Sequence, residues 1–308
     1  MLFSIVTLCY RAADTLPRTY ESLLRQKRSD CEFEWVLVDD FSNDDDSTAS
    51  MMRHFQRSAP FAVKTVFLEK NYVGSRSAYE GSRVASGDYV LILDQDDMLT
   101  DNALEIYRSV LGKYSGTENE KIAGVCGRCQ NMQGKFIGTK SKWAEKVSNE
   151  LEIRHVEKIR GEMFQCTKRE IIERFFSDVK PGYSNGYAWT RIAREYDYVY
   201  TSSVVRIYNT ENSASISHTG KLKYLREDFE MNHYYLNHNY DYLKHDWYYR
   251  VRATVRHFRL GLHLGLRKKD LTKILRQELR FHTNILYLLG VLVSFLDRMK
   301  GVGVERGG

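Results

Sequence analysis

Three carboxylates stand within four residues, Asp94, Asp96 and Asp97, directly behind the short apolar run Tyr89-Val90-Leu91-Ile92-Leu93. A run of that length and composition reads as a strand buried on both faces. Ionised Asp offers only acceptor oxygens, and packing gives no reason to collect three of them at the end of such a strand. Their mutual repulsion calls for a positive partner. A divalent cation, Mg2+ or Mn2+, would serve, because hard cations take oxygen ligands and share them with substrate phosphates. The competing reading is a helix cap, with Asp97 or Thr100-Asp101 closing the start of a helix near Asn102. A cap accounts for one Asp and leaves two unexplained.

Holding such a cluster in place takes a sheet, and the chain ahead of it alternates strand and helix patterns. Residues 2–8 form a first apolar strand that runs into Cys9-Tyr10-Arg11. Leu16, Tyr20, Leu23 and Leu24 then recur at helical spacing, with Pro17 early enough to be tolerated. Glu34-Trp35-Val36-Leu37-Val38 is a second strand ending on Asp39-Asp40, and a helix follows from about Thr48 to Gln56. A third strand covers Val63 to Leu68, and a loop with Asn71, Gly74 and Arg76 leads into a helix over Ala78 to Ala85. Strands alternating with helices give a parallel, right-handed α/β sheet, whose ligands sit beyond the carboxyl ends of the strands. Three of these ends are polar: Tyr10-Arg11, Asp39-Asp40 and Asp94 to Asp97. Neither GxGxxG nor GxxxxGK[ST] occurs there, so a phosphate cradle of backbone N–H groups is not expected.

The segments Ser4-Ile5-Val6-Thr7-Leu8-Cys9-Tyr10, Val36-Leu37-Val38-Asp39-Asp40-Phe41-Ser42-Asn43-Asp44 and Ala85-Ser86-Gly87-Asp88 through Asp97 together resemble the donor half of family 2 glycosyltransferases. The resemblance implies an α/β, GT-A nucleotide-sugar-binding fold, Rossmann-like, with a mainly parallel central sheet flanked by helices and a helical C-terminal extension. It implies a donor site, for a UDP-sugar in the first instance, drawn from Leu8, Tyr10, Asp39, Asp40, Asn71, Arg76, Asp94 and Asp96. In that site Asp39 and Asp40 meet base and ribose, Asp94-Gln95-Asp96 is the DxD motif, and Asp96 with Asp97 holds Mn2+ or Mg2+. The implied reaction inverts the anomeric centre of the sugar and serves bacterial exopolysaccharide, capsule or lipopolysaccharide synthesis on a glycan or lipid-linked acceptor.

The second half resembles the acceptor side of bacterial members more loosely, through Arg160-Gly161-Glu162-Met163-Phe164, Gly186-Tyr187-Ala188-Trp189-Thr190-Arg191, and Val205-Arg206-Ile207-Tyr208. In those relatives an acid about four residues before the Trp is the catalytic base. Asn185 stands there instead, and an amide cannot take the proton of an acceptor hydroxyl. Asp178 and Glu162 are the nearest acidic candidates. A binding-only relative lacking the base is the alternative to an active enzyme. A nucleotidyltransferase would want a Gly-rich basic loop after the first strand, and Tyr10-Arg11-Ala12 is a poor one.

With 308 residues, 43% hydrophobic and 28% charged, the chain has the composition of a folded protein rather than a disordered one. We expect a domain over residues 1–220, with a donor half at 1–110 and an acceptor half at 111–220, followed by a basic, aromatic helical region at 221–308. Net charge is +6, and Arg250 to Arg280 holds ten Lys/Arg against two acids. Two readings of that region stand side by side: Arg and Tyr stems packed on a domain, or peripheral contact with an anionic membrane. Nucleic acid is a third, with no motif to support it. The N-terminus lacks a signal-peptide pattern, and Ile285 to Leu296 is too short to span a bilayer. The expected location is cytoplasmic, at the inner face of the membrane in the second reading. Five cysteines, two of them spaced Cys126-x-x-Cys129, read as ordinary thiols because no second pair completes a zinc site.

Overall fold

A computed structural model describes residues 1–26, 31–114, 120–210, 224–280 and 282–300. The first elements alternate as the hydrophobic pattern requires: β1 (Leu2–Cys9), α1 (Leu16–Gln26), β2 (Glu32–Asp39), α2 (Ser47–Ser58), β3 (Ala62–Phe67), α3 (Ser75–Val84) and β4 (Tyr89–Asp94). There follow β5 (Met98–Leu99), α4 (Ala103–Lys113), β6 (Ile122–Asn131), β7 (Glu145–Ser148), a π-helical turn (Glu152–Val156) and β8 (Met163–Lys168). Next come α5 (Arg169–Phe176), α6 (Asn185–Glu195) and β9 (Asp197–Tyr208). The helices α7 (Leu225–His238), α8 (Tyr240–Leu243), α9 (Trp247–His263), α10 (Lys268–Lys273) and α11 (Thr283–Met299) complete the chain.

The strands join in one sheet of order β3-β2-β1-β4-β8-β6-β9-β5, with β7 added against β9. The block β3-β2-β1-β4 is parallel, as right-handed crossovers through α1, α2 and α3 demand. Beyond β4 the sheet is mixed, because β8 runs antiparallel to both β4 and β6 while β6 and β9 are parallel. Trp35, Leu37, Leu91 and Leu93 are fully buried in its core, and the Trp35 indole N–H donates to Thr7 Oγ1 at 2.9 Å. Packing is tight where α3 crosses β1 and β2. A Cβ on Gly81 would lie 2.5 Å from a Val6 methyl, so only glycine lets the helix approach that closely.

The chain divides into two units. One comprises Met1–Glu150 together with the chain from Ile159 through β9; the other comprises Leu151–Lys158 together with α7 to α11. The expected boundary at 220/221 falls outside the described residues. Inclusion of Leu151–Lys158 in the second unit has a local cause. His155, 1% exposed, sets Nδ1 3.2 Å from Asp246 Oδ2 and Nε2 2.5 Å from the Tyr235 hydroxyl. Asp246 also caps α9 by accepting the Tyr249 N–H at 3.1 Å.

In the second unit His257 is buried against Phe229, with Nε2 3.2 Å from the Leu271 carbonyl. Burial disfavours its cation and brings the imidazole down to about 4, against the partial support of that carbonyl. The group is neutral in the fold and protonates at about 6.5 when unfolded. Its contribution is therefore intact above pH 6.5 and is lost as pH falls from 6.5 through 4, by about 3 kcal/mol. Urea unfolding of the second unit at pH 7 and pH 4 should show this loss, and His257→Gln should remove most of the difference. An equal loss in the variant would place the acid sensitivity elsewhere.

Candidate active site at the carboxyl edge of the sheet

Register aligns the acidic strand ends. Leu8 lies opposite Val38 on one side and Asp94 on the other, and Cys9 lies opposite Asp39. Leu8 is half-buried, Tyr10 is exposed, and Asp39 and Asp40 are buried. Gln95 links two of these ends: its Oε1 accepts the Tyr10 N–H at 2.7 Å and its Nε2 donates to the Tyr10 carbonyl at 3.1 Å. Asp39 Oδ1 accepts the Ser42 N–H at 3.0 Å, and the Ser42 hydroxyl accepts the Arg11 N–H at 2.8 Å. Burial pushes the Asp39 carboxyl up, Ser42 pulls against it, and the charges of Asp44 and Asp40 add to the rise.

Asp40 does something the sequence did not suggest. Oδ1 accepts the Tyr72 N–H at 2.8 Å and Oδ2 accepts the Val73 N–H at 2.9 Å. Both oxygens thus hold the loop before α3, where Val73 has φ 58°. That loop meets the start of α6, through Ser75 N–H to the Tyr183 carbonyl at 3.4 Å. Asn71 on the loop is exposed. Arg76 turns to Glu80 at 2.6 Å and to the Ser177 carbonyl at 3.2 Å.

The three carboxylates after β4 part company. Asp97 is 1% exposed and takes the Arg206 Nε–H on Oδ2 at 2.6 Å, with Arg206 Nη2 on the same oxygen. Its Oδ1 accepts the Asn209 N–H at 2.7 Å. Asp97 therefore does not cap α4, and both of its oxygens are engaged within the fold. Asp101, the other cap candidate, pairs with Arg25 at 2.6 Å. Arg206 also reaches Asp94 Oδ2 at 2.8 Å, and its guanidinium lies over the Phe164 and Tyr208 rings at 5.1 and 4.8 Å. Burial pushes the Asp97 carboxyl up, to about 7, with Arg206 opposing, while Asp97 and Asp94 hold Arg206 above its ordinary value. Asp94 and Asp96 remain half-exposed at the edge.

That Arg206 supplies a positive partner was missed from sequence, although a signal was present. An Arg inside the apolar run Val204-Val205-Arg206-Ile207 must find a counter-charge when the strand is buried. The register brings it there: Arg206 lies opposite Cys129 and Leu99, and Met163 opposite Arg128. Because β8 is antiparallel to β4, the residue before β8, Glu162, also comes to the acidic edge. Burial pushes the Tyr208 phenol up first, then the charge of Glu162 adds to it; Arg206 pulls down, and Asp97 and Asp94 push further. Tyr208 thus feels Glu162 and the strand-end charges together.

The other two base candidates are placed differently. Asp178 accepts both Arg191 nitrogens, at 2.7 and 3.0 Å. Asn185 opens α6, and its Oδ1 is buried without a hydrogen-bond partner, 3.7 Å from where a Cβ on Gly74 would stand. Cys126 and Cys129 are buried free thiols, and burial pushes Cys129 up to about 12.

Among the described residues, no group of three His, Cys, Asp or Glu side chains could hold a cation by itself. Asp94 and Asp96 fit a smaller role. Mg2+-type ions are held by one or two carboxylates completed by substrate phosphates and water.

The mixed α/β sheet flanked by helices is similar to that of GT-A glycosyltransferase structures such as TarS. Residues 4–148 match the family model of glycosyl transferase family 2. A stretch of 104 residues is 30% identical to the poly(ribitol-phosphate) beta-N-acetylglucosaminyltransferase TarP of Staphylococcus aureus, covering 33% of this chain and 30% of TarP. Residues 1–349 of S. aureus TarS, solved with UDP-GlcNAc, share the fold at TM-score 0.65 and 13% identity, over 98% of this chain and 92% of that one. A mannosyltransferase of Pyrobaculum calidifontis, in complex with GDP-Man and Mn2+, does so at TM-score 0.56 and 16% identity, over 96% and 87%. The matched stretch spans half or less of the length of the curated relatives.

Removing one partner of a buried ion pair strands the other, which costs about 3–5 kcal/mol. Arg206→Met should lower stability by that order in urea unfolding. The double variant Arg206→Met/Asp97→Leu should recover much of the loss. Singles costing under about 1 kcal/mol would mean that the pair is solvated and not structural.

Proposed function

We propose that the chain is a metal-dependent, inverting glycosyltransferase that moves a sugar from a nucleotide-sugar, a UDP-sugar in the first instance, to a glycan or lipid-linked acceptor in bacterial cell-surface polysaccharide synthesis. The observation that carries this reading is the alignment of Leu8, Asp39 and Asp94 on neighbouring strand ends, with Asp96 two residues on. Such an edge offers acceptors for ribose and base on one side and carboxylates for a phosphate-bound cation on the other. Residues 1–110 form the donor half in this reading and 111–220 the acceptor half.

Asp94 and Asp96 would hold Mn2+ or Mg2+, which would supply charge neutralisation of the leaving group. Asp39 accepts hydrogen bonds from the nucleoside. Asp40 acts through the loop it holds, keeping Asn71 to Gly74 in place beside the donor, and is a positioning residue. Asp97 and Arg206 fix the end of β4 so that Asp94 and Asp96 keep their places. On the acceptor side, Glu162 takes the proton of the acceptor hydroxyl; that oxygen attacks the sugar C1 as the bond from C1 to the diphosphate breaks, and the leaving group departs with the electron pair. Glu162 is preferred to Asp178 because Asp178 is neutralised by Arg191, whereas Glu162 acts electrostatically on Tyr208 beside the carboxylates. A second reading, a donor-binding relative without catalysis, draws on Asn185 at the position where related enzymes carry their base.

Two measurements test this. Mn2+-dependent binding of UDP, followed calorimetrically, should vanish in Asp96→Ala while the thermal midpoint holds; unchanged binding would remove the cation assignment. Transfer from a panel of nucleotide-sugars should fall about 10²–10⁴-fold in Glu162→Gln with UDP affinity unaltered. A comparable fall in Asp178→Asn alone would move the base there, and no transfer by the unaltered chain with intact donor binding would favour the second reading.

A further inference from the structure

The last helix is turned inside out. The face of α11 that packs within the second unit carries Gly290, Ser294 and Asp297, all buried. Asp297 accepts Arg259 Nε–H at 2.6 Å and Nη2–H at 2.9 Å, and His263 Nε2 lies 3.0 Å away. Gly290 allows the close approach to α9, since a Cβ there would stand 2.7 Å from Phe258 Cβ. The opposite face carries Ile285, Leu288, Leu292, Phe295 and Met299, exposed at 60, 65, 53, 58 and 69%. With Leu289 and Leu296 beside this stripe, the apolar arc approaches half the helix circumference and holds no charge from Ile285 to Leu296. A two-helix seam needs only a narrow stripe, so this face is broader than a coiled-coil contact would use.

Charge frames the arc at both ends. Lys268 sits at its start, with Nζ 2.7 Å from Asn284 Oδ1 and 5.2 Å from the Tyr287 ring centroid. Arg298 and Lys300 stand exposed at its end. From Arg267 to Lys300 there are eight Lys/Arg against three acids, and one of those acids, Asp297, is already paired inward. A second copy of the chain would bring like charges together at such a face. An anionic lipid surface instead offers both an apolar layer for the arc and phosphates for the basic ends. The helix, 17 residues and about 25 Å long, falls short of a hydrocarbon core of about 30 Å, and no described helix is long and apolar enough to cross a membrane. Lying flat is the geometry that buries the arc.

We infer that α11 docks the protein on an anionic membrane surface, with the Leu288–Leu292–Phe295 face in the acyl–headgroup boundary and Lys268, Arg298 and Lys300 on lipid phosphates. The inference rests on the glycosyl-transfer reading only in the choice of surface, since a lipid-linked acceptor resides at one.

The test is flotation of the full chain with vesicles of phosphatidylcholine alone or with about 30 mol% phosphatidylglycerol, at low and high salt. The unaltered chain should float with the anionic vesicles and much less with neutral ones. Leu288→Glu/Leu292→Glu, at positions already exposed, should weaken binding by about tenfold or more at either salt. Lys268→Gln/Lys300→Gln should reduce binding at low salt and flatten its salt dependence. No flotation by the unaltered chain, or equal flotation by the Leu288→Glu/Leu292→Glu variant, overturns the inference. So does a concentration-dependent dimer that the same variant disperses without any vesicle binding, which would assign the face to a second copy. None of these readouts uses donor or acceptor, so they fail independently of the UDP binding and transfer measurements.

Discussion

The ion pair between Arg206 and Asp97 is the constraint on which the acidic edge depends. Both side chains are almost fully removed from water, and charges so placed must be paired and hydrogen-bonded or the fold loses several kcal/mol. The geometry meets that demand. The guanidinium meets Asp97 through two nitrogens, reaches Asp94 with one of them, and lies over two aromatic faces, while the Asn209 amide satisfies the remaining Asp97 oxygen. A pair of this kind adds less to net stability than to uniqueness of arrangement. Here it fastens the end of β9 to the end of β4, and so fixes where the neighbouring carboxylates stand.

The pair also sets the charge balance of the site. One guanidinium faces Asp94 and Asp97, and Asp96 and Glu162 bring further negative charge to the same edge. Burial pushes the Tyr208 phenol up, Glu162, Asp97 and Asp94 push it further, and Arg206 pulls it down. Asp40 is absorbed differently, since both of its oxygens serve the loop before α3.

Local pattern was enough for the alternation from β1 to β4 and for the acidic strand ends, because buried apolar runs ending on Asp depend on neighbours a few residues away. Strand β1 was legible as 2–8 and is Leu2–Cys9; α3 begins three residues before its expected start, with Ser75, Arg76 and Ser77 added. What escaped were pairings across long separations. Three neighbouring Asp need positive charge, and one source of it, Arg206, lies 109 residues from Asp97. The two bonds from Asp40 to Tyr72 and Val73 cross 32 and 33 residues and end on backbone amides, which carry no residue signature. The union of Leu151–Lys158 with the second unit rests on one buried histidine, and His155 looks like any other in sequence. The outward apolar face of α11 could not be told from an ordinary core-facing one, because periodicity gives the stripe and not its direction.

The most direct measurement of the account is the position of a bound cation. Crystals grown with Mn2+ and UDP, examined by anomalous scattering, should show one peak about 2.0–2.2 Å from an Asp96 or Asp94 oxygen and from the diphosphate. Asp97 should remain on Arg206 and outside the coordination sphere. A peak ligated by Asp97 with Arg206 displaced, or UDP bound with no cation at this edge, would contradict the division of the carboxylates proposed for the site.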